Sequence, residues 1–351
     1  MKKRVGILTF HDGINHGAFF QAYYLQNFLH SAGYDATIVN YKNRTHRLAE
    51  LKSFFLTKRP MRLLRNIVKF RNFRRDHQLF KLDGPLKTRV DAIRQQDFDA
   101  YVIGSDIVWN YTFDWLGNDP IYYGHGLERP RISYAASCGP IDGGQIPEYV
   151  RTGFRNFSHI SVRDRYAAEL VDRCHDQPAV RVVDPTLLVN DIMPARASST
   201  ALSQPYLLVY ATMLTAAEIA ETRRFASEQG LKTVCVGYQH DWCDIDRTTV
   251  GPVQWLNWFE QASFIVTSTF HGTIFAIKFR KPFICSMNPA ILNKVGSLVS
   301  DLGLEDRLSR DDFDRRKMLE AIDYDAVFAR LEVQSSASRD FLKQSLAKLF
   351  E

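Results

Sequence analysis

The segment FIVTSTFHGTIFAIKF, Phe264–Phe279, sets one histidine where an apolar, β-rich run gives way to helical spacing. Phe264 to Thr267 reads as a strand and Thr273 to Phe279 as a helix. Ser268 and Thr269 are N-cap residue types, and Gly272 leaves room for a ligand against the backbone. The first N–H groups of a helix point outward, with the positive end of the macrodipole behind them. Such a turn is an anion site, and His271 at its mouth can bring both charge and a proton to a bound phosphate or carboxylate. The same residues also suit a turn histidine in a plain capped helix.

Other polar clusters fall just after strand signals. NHGAFFQ, Asn15–Gln21, opens a helix that Asn15 can cap and at which Gly17 leaves space. Asn15, His16 and Gln21 are candidates for sugar or phosphate contact, with plain capping as the alternative. Gly104, Ser105 and Asp106 place a hydroxyl and a carboxylate at a strand end. Asp106 is a candidate base, or else the cap of a turn, and Trp109 offers a flat face for a sugar ring. ISVRDR, Ile160–Arg165, puts two cations at a helix start, where they oppose the macrodipole unless an anion joins them. Arg163 is read as a bidentate clamp for such an anion and Arg165 as half of a surface pair with Glu169. His11, His16 and His125 are individually weak signals, more often structural than catalytic.

The elements that must position these residues alternate along the chain. Strand signals at Arg4–Phe10, Ala36–Asn40, Asp99–Ile103, Arg131–Ala135, Ile160–Val162 and Val180–Val183 are interleaved with helical ones, and CGPIDGG at Cys138–Gly144 reads as a turn. The alternation restarts with a strand at Tyr206–Tyr210, a helix at Ala216–Gln229, a strand at Leu231–Val236 and a helix at Pro252–Ala262. This pattern predicts an α/β protein of two doubly wound, Rossmann-like domains facing a cleft. The expected division is an N-terminal domain at 1–189, a linker at 190–204 rich in Ser, Ala and Pro, and a C-terminal domain at 205–351. Residues 310–351 read as helical and able to pack back on the first domain.

At 351 residues the chain exceeds one comfortable core. Its 45% hydrophobic and 24% charged residues are those of a soluble globular protein, and no apolar run reaches the length of a membrane span. The first residues lack a signal-peptide pattern and read as a strand. Five scattered cysteines, Cys138, Cys174, Cys235, Cys243 and Cys285, form neither a disulfide framework nor a zinc pattern, which points to a cytoplasmic protein without a metal. The net charge of +6 is uneven: residues 1–100 hold 19 Lys and Arg against 8 Asp and Glu. Eight of those basic residues, and no acidic one, lie in 58–75. Leu64, Ile67, Val68 and Phe73 there can share one helical face, which suits an anionic membrane surface or a phosphorylated acceptor, or equally a solvated basic helix. No nucleic-acid motif accompanies the patch.

Seven blocks in order resemble the polysaccharide pyruvyl transferase family and span nearly the whole chain. They are NHGAFFQAYYLQ (15–26), GSDIVWN (104–110), ISYAAS (132–137), ISVRD (160–164), DPTLL (184–188), TSTFHGTIF (267–275) and LGLED (302–306). The resemblance implies a GT-B-like fold and a ketal pyruvyltransferase. Phosphoenolpyruvate is then the donor, as a co-substrate and with no cofactor, and the acceptor is a sugar of a surface polysaccharide or its lipid-linked precursor. It maps the donor histidine onto His271 and the donor arginine onto Arg163, with Ser268, Thr269, Phe270, Gly272 and Thr273 around the donor. It assigns the Asn15–Gln21 and Gly104–Asp106 segments to the acceptor side; from the residues themselves Asn15, His16, Gly17, Gln21, Ser105 and Trp109 are the acceptor candidates there, and Asp106 is expected to take the hydroxyl proton. Where some members carry a basic residue near the histidine, this chain has Thr269 and Phe270. Apart from the resemblance, the cysteine usage points to a cytoplasmic location and the basic 58–75 segment to peripheral contact at the inner face of the membrane. Two other readings compete: a GT-B glycosyltransferase holding a nucleotide-sugar diphosphate at His271, and a non-catalytic carbohydrate or membrane-surface binder.

Overall fold

Strand β1 (Arg4–Leu8) runs between β2 (Asp35–Ile38) and β3 (Ala100–Ile103), and β4 (Arg131–Ser133) joins the far side of β3. All pair in parallel, with Val5 opposite both Ala36 and Ala100. A methyl group added at Gly6 would lie 2.7 Å from the Tyr101 ring, so that position must stay bare for the two strands to pack. The first crossover is α1 (His16–Ser31), which Asn15 caps through Gly17 N–H and Ala18 N–H. Beyond β2 come α2 (Arg44–Phe55) and α3 (Pro60–Asp76). After β4 follow α4 (Glu148–Gly153), the short parallel pair β5 (Ser161–Val162) and β6 (Val180–Arg181), and between those two strands α5 (Arg165–Asp172).

This computed structural model describes residues 1–116, 118–141, 144–193, 202, 204–287, 289–309 and 313–351. Most of the expected linker, two residues of the 138–144 turn and residues 310–312 of the expected helical tail lie outside the described residues.

The chain divides into two units: 1–64, 77–189 and 333–351 form one, 65–76 and 190–332 the other. Residues 65–76 group with the second unit because α3 is bonded there. Lys69 Nζ donates to Gly237 O at 2.7 Å, Asn72 Nδ2 to Thr249 O at 2.8 Å, and Val253 N–H to Asp76 Oδ2 at 3.0 Å. The C-terminal residues group with the first unit because Ser335 Oγ donates to Leu187 O at 2.7 Å and Val183 N–H donates to Ser338 Oγ at 3.0 Å.

The second unit carries, among the described residues, a six-stranded sheet in the order β12-β11-β10-β7-β8-β9. Its strands are β7 (Tyr206–Tyr210), β8 (Lys232–Val236), β9 (Ile245–Arg247), β10 (Phe264–Thr267), β11 (Phe283–Ser286) and β12 (Leu308–Ser309). Its helices are α6 (Ala216–Glu228), α7 (Pro252–Gln261), α8 (Phe270–Lys278), α9 (Pro289–Leu302) and α10 (Arg316–Leu319). The last helix, α11 (Tyr324–Leu349), begins in this unit. A full capping box, Thr215 with Glu218, starts α6, and Pro252 occupies the first turn of α7.

Each of the two larger sheets reverses its strand order once. In the first unit β1 leads to β2 on one side and borders β3 on the other. In the second, β7 leads to β8 on one side and borders β10 on the other. Ligands of open parallel sheets sit beyond the strand C-termini at such reversals. Among the described residues no helix is long and apolar enough to cross a membrane.

Candidate active site

The reversal in the second unit lies where β10 runs into α8. Thr269 is the N-cap, in extended conformation, and its Oγ1 accepts from Gly272 N–H at 3.0 Å. His271 is the second residue of the helix and remains partly exposed, its ring packed edge-on to Phe270 with centroids 5.2 Å apart. It is therefore held at a helix start, beyond the end of a central parallel strand.

Several neighbours serve the turn rather than a ligand. Ser268 is sealed, and its Oγ accepts from Thr212 N–H at 2.8 Å, tying the end of β10 to the loop after β7. Thr273 is also sealed and donates its hydroxyl to Thr269 O at 3.0 Å. Gly272 is required for a reason other than ligand approach: an added methyl would lie 2.1 Å from Thr267 Oγ1 and 2.6 Å from Thr269 Oγ1. Thr267 Oγ1 in turn donates to Tyr210 O at 2.7 Å. The close approach is internal.

In the first unit the motifs converge on a buried polar hub beyond β3 and β4. Arg163 Nη1 donates to Asp184 Oδ2 at 2.6 Å and to Ser105 Oγ at 3.3 Å, with both members of the ion pair almost fully buried. Asp184 Oδ1 accepts from Thr186 N–H and from Thr186 Oγ1, and Ser137 Oγ donates to Asp164 Oδ2 at 2.5 Å. Burial works against the Arg163 charge, but Asp184, Asp106 and Asp164 outweigh it and hold the guanidinium firmly protonated. The open bidentate clamp expected at Arg163 is thus an internal ion pair, because Asp184 reaches the guanidinium from the DPTLL block. Arg165 pairs with Glu169 at 2.6 Å on the surface.

Asp106 is half-buried at φ 71°, with its Oδ1 accepting from Ile107 N–H. Thr9 Oγ1 donates to Ser105 O at 3.0 Å across the β1/β3 reversal, and Gln21 Nε2 donates to Thr9 Oγ1 at 2.9 Å and to Phe10 O at 3.0 Å. Gln21 and Ser105 are fully buried and His16 nearly so; only Asn15, the cap of α1, is exposed in this cluster. Gly17 N–H donates to the Asn15 cap at 2.8 Å. Trp109 is no stacking platform. It is sealed in the core, donates Nε1–H to Tyr122 O at 2.8 Å and meets Phe154 edge-on. The exposed indole is Trp115, 47% accessible, whose edge contact is His46 at 5.1 Å.

Sequence reading missed a charged cluster beside the α1 cap. Lys42 is sealed between Asp12 at 2.7 Å and Glu50 at 2.5 Å. Burial pushes the Asp12 carboxyl up, but Lys42 and then His11 overcome it and leave it at about 2. Burial, reinforced by the Lys42 charge, lowers His46 to about 4, so its ring is neutral. The signal was an HDG tripeptide just after β1 and a lysine just after β2, which acquire meaning only when the reversal brings both strand ends together. His11 is structural, bridging Thr9 O and Asn40 Oδ1. Among the described residues no group of His, Cys, Asp and Glu could hold a metal ion.

Structures similar to this chain include two described as UDP-N-acetylglucosamine 2-epimerases and one forosaminyltransferase. The UDP-GlcNAc 2-epimerase of Neisseria meningitidis bound to UDP-GlcNAc has a TM-score of 0.53 at 10% identity, covering 99% of this chain and 100% of its own. A Listeria monocytogenes protein described as a UDP-N-acetylglucosamine 2-epimerase gives 0.52 at 11% identity, covering 100% and 97%. The spinosyn forosaminyltransferase SpnP gives 0.50 at 10% identity, covering all of both chains. At these identities the likeness shows the fold, which is GT-B-like with parallel sheets in both units. No curated protein sequence matches significantly. The family model for polysaccharide pyruvyl transferases matches residues 15–288, from the α1 cap through the His271 turn to the end of β11. With well over half of its length matched, the chain belongs to the polysaccharide pyruvyl transferase family.

Proposed function

We propose that this pyruvyltransferase uses phosphoenolpyruvate to build a pyruvate ketal on a sugar of a surface polysaccharide or its lipid-linked precursor. The observation that carries this reading is His271 at the start of α8, at the strand reversal of the second unit and inside the segment matched to the family. The donor bears a phosphate and a carboxylate, and a helix start with an imidazole suits such an anion. Protonation of the methylene carbon turns CH₂ into CH₃ and leaves the adjacent carbon electron-poor. One sugar hydroxyl adds there and loses its proton; a second closes the ring as the C–O bond to phosphate breaks. One donor and one diol thus yield one ketal and one inorganic phosphate.

In this scheme His271 is the general acid or the phosphate partner, and Asp106 accepts the first hydroxyl proton. Thr269, Phe270 and Gly272 form the donor turn, with Ser268 and Thr273 holding it in shape. Asn15 and Trp115 offer surface to the acceptor, while His16, Gly17 and Gln21 support the α1 start. Arg163, paired with Asp184, acts by orienting Ser105 and with it the Asp106 turn. The scheme calls for no metal or cofactor, and its donor is a cytoplasmic metabolite.

The test is full-length protein with phosphoenolpyruvate and candidate sugar acceptors, following phosphate release and product mass. Donor-dependent phosphate release with a ketal mass gain, lost in His271→Ala, is the expected result. Turnover of a nucleotide sugar in place of phosphoenolpyruvate would transfer the site to glycosyl transfer, the chemistry of the forosaminyltransferase with this fold.

A further inference from the structure

Helix α3 presents two unlike faces. One is fastened to the second unit by Lys69, Asn72 and Asp76, with Phe73 buried among them and Arg65 paired to Asp246 at 3.0 Å. The other follows the spacing 61, 64, 67/68, 71, 74/75, which is one side of an α-helix. On it Met61, Leu64, Ile67 and Val68 are 67%, 56%, 39% and 41% exposed. Arg71 and Arg74 are exposed between and beyond them, and among the described residues no carboxylate pairs with either. Lys58, Arg59 and Arg62 lead into the same helix, and no acidic residue occurs from 58 to 75.

A solvated helix has no use for four large apolar side chains on its outer face, since tucking them inward is favourable wherever a core is available. The mixture is matched by one environment. Apolar side chains can enter the acyl boundary of a bilayer while guanidiniums on long stems stay level with the phosphates. A protein groove would need carboxylates fixed opposite each arginine, whereas an anionic lipid surface supplies mobile phosphates wherever the arginines fall. We propose that the outward face of α3 docks this protein on an anionic phospholipid bilayer. The inference stands apart from the donor and acceptor chemistry, because none of its residues belongs to either reversal site.

The experiment is co-sedimentation of the full-length chain with phosphatidylcholine vesicles, with and without phosphatidylglycerol. Binding is expected to the anionic vesicles only and to weaken as salt rises. The double variant Arg71→Gln/Arg74→Gln is expected to lower partitioning roughly tenfold or more. Leu64→Ser/Val68→Ser should also lower it, with the melting temperature of the protein unmoved. Arg89→Gln/Arg94→Gln makes the same charge change on exposed arginines outside α3, and it should leave binding intact. Equal binding to neutral vesicles, no binding at all, or α3 variants that bind like the parent would each overturn the proposal. So would concentration-dependent self-association that the α3 variants abolish without any vesicle binding, because the face would then belong to a second copy.

Discussion

Asp184 Oδ2 lies 2.6 Å from Arg163 Nη1, and neither side chain meets solvent to any useful degree. The pair joins the DPTLL and ISVRD blocks, and through Ser105 it reaches GSDIVWN. Three motifs far apart in the chain therefore share one buried polar hub.

A buried ion pair costs most when one partner is removed, because the other is stranded. Asp184→Ala should destabilise the protein by about 3–5 kcal/mol. A paired apolar replacement, Arg163→Met with Asp184→Leu, should cost clearly less than that single change. Urea denaturation of the single and double variants checks this; equal losses would show that the pair is not the relevant unit.

His271 and Gly272 are adjacent but should fail differently. His271→Ala is expected to reduce turnover by about 10²–10⁴-fold if the imidazole transfers the proton, with stability nearly unchanged. Gly272→Ala forces a methyl onto two threonine hydroxyls at the helix start, so it should lower stability by about 1–3 kcal/mol as well as turnover. Calorimetry alongside kinetics separates the two signatures.

The tryptophans give a second contrast. Trp109→Ala empties a core position and should cost about 3–5 kcal/mol. Trp115→Ala should stay within about 0.5 kcal/mol of the parent, as surface changes do. If Trp115 offers its face to the acceptor, KM for the sugar rises while kcat holds.

The cluster around Lys42 predicts a two-step acid profile. His46 is lowered to about 4 by burial first and Lys42 second, so the unfolded chain takes up its proton earlier than the folded one. Its contribution is complete above the unfolded value near 6.5 and lost as pH falls through 4. Asp12 is held at about 2 by Lys42 against its burial, so its contribution is complete above about 4 and lost as pH falls toward 2. Each step is worth on the order of 2–3 kcal/mol. Urea unfolding from pH 7 to 2 should show both, with His46→Phe removing the upper step and Asp12→Asn the lower.

Local pattern made much of this protein legible. The strand at Phe264–Thr267 and the helix after it lie where apolar spacing placed them, and Asn15 and Thr269 cap as their residue types allow. Trp109 was misjudged because an indole after a polar strand end looks the same in sequence whether it faces a ligand or the core. Its partners Tyr122 and Phe154 come from later segments that only folding brings near.

The amino-acid order alone settled what is written at short range. Parallel α/β alternation, helix starts with their caps, the basic run at 58–75 and the family blocks all depend on residues within a turn or two of each other. Packing decided everything that depends on distant partners. It turned Arg163 inward to Asp184, sealed Lys42 between two carboxylates and left Trp115 and the apolar side of α3 exposed. The physical reason is that a side chain's environment depends on the strand order of the sheet, and strand order is not encoded in any single window of the chain.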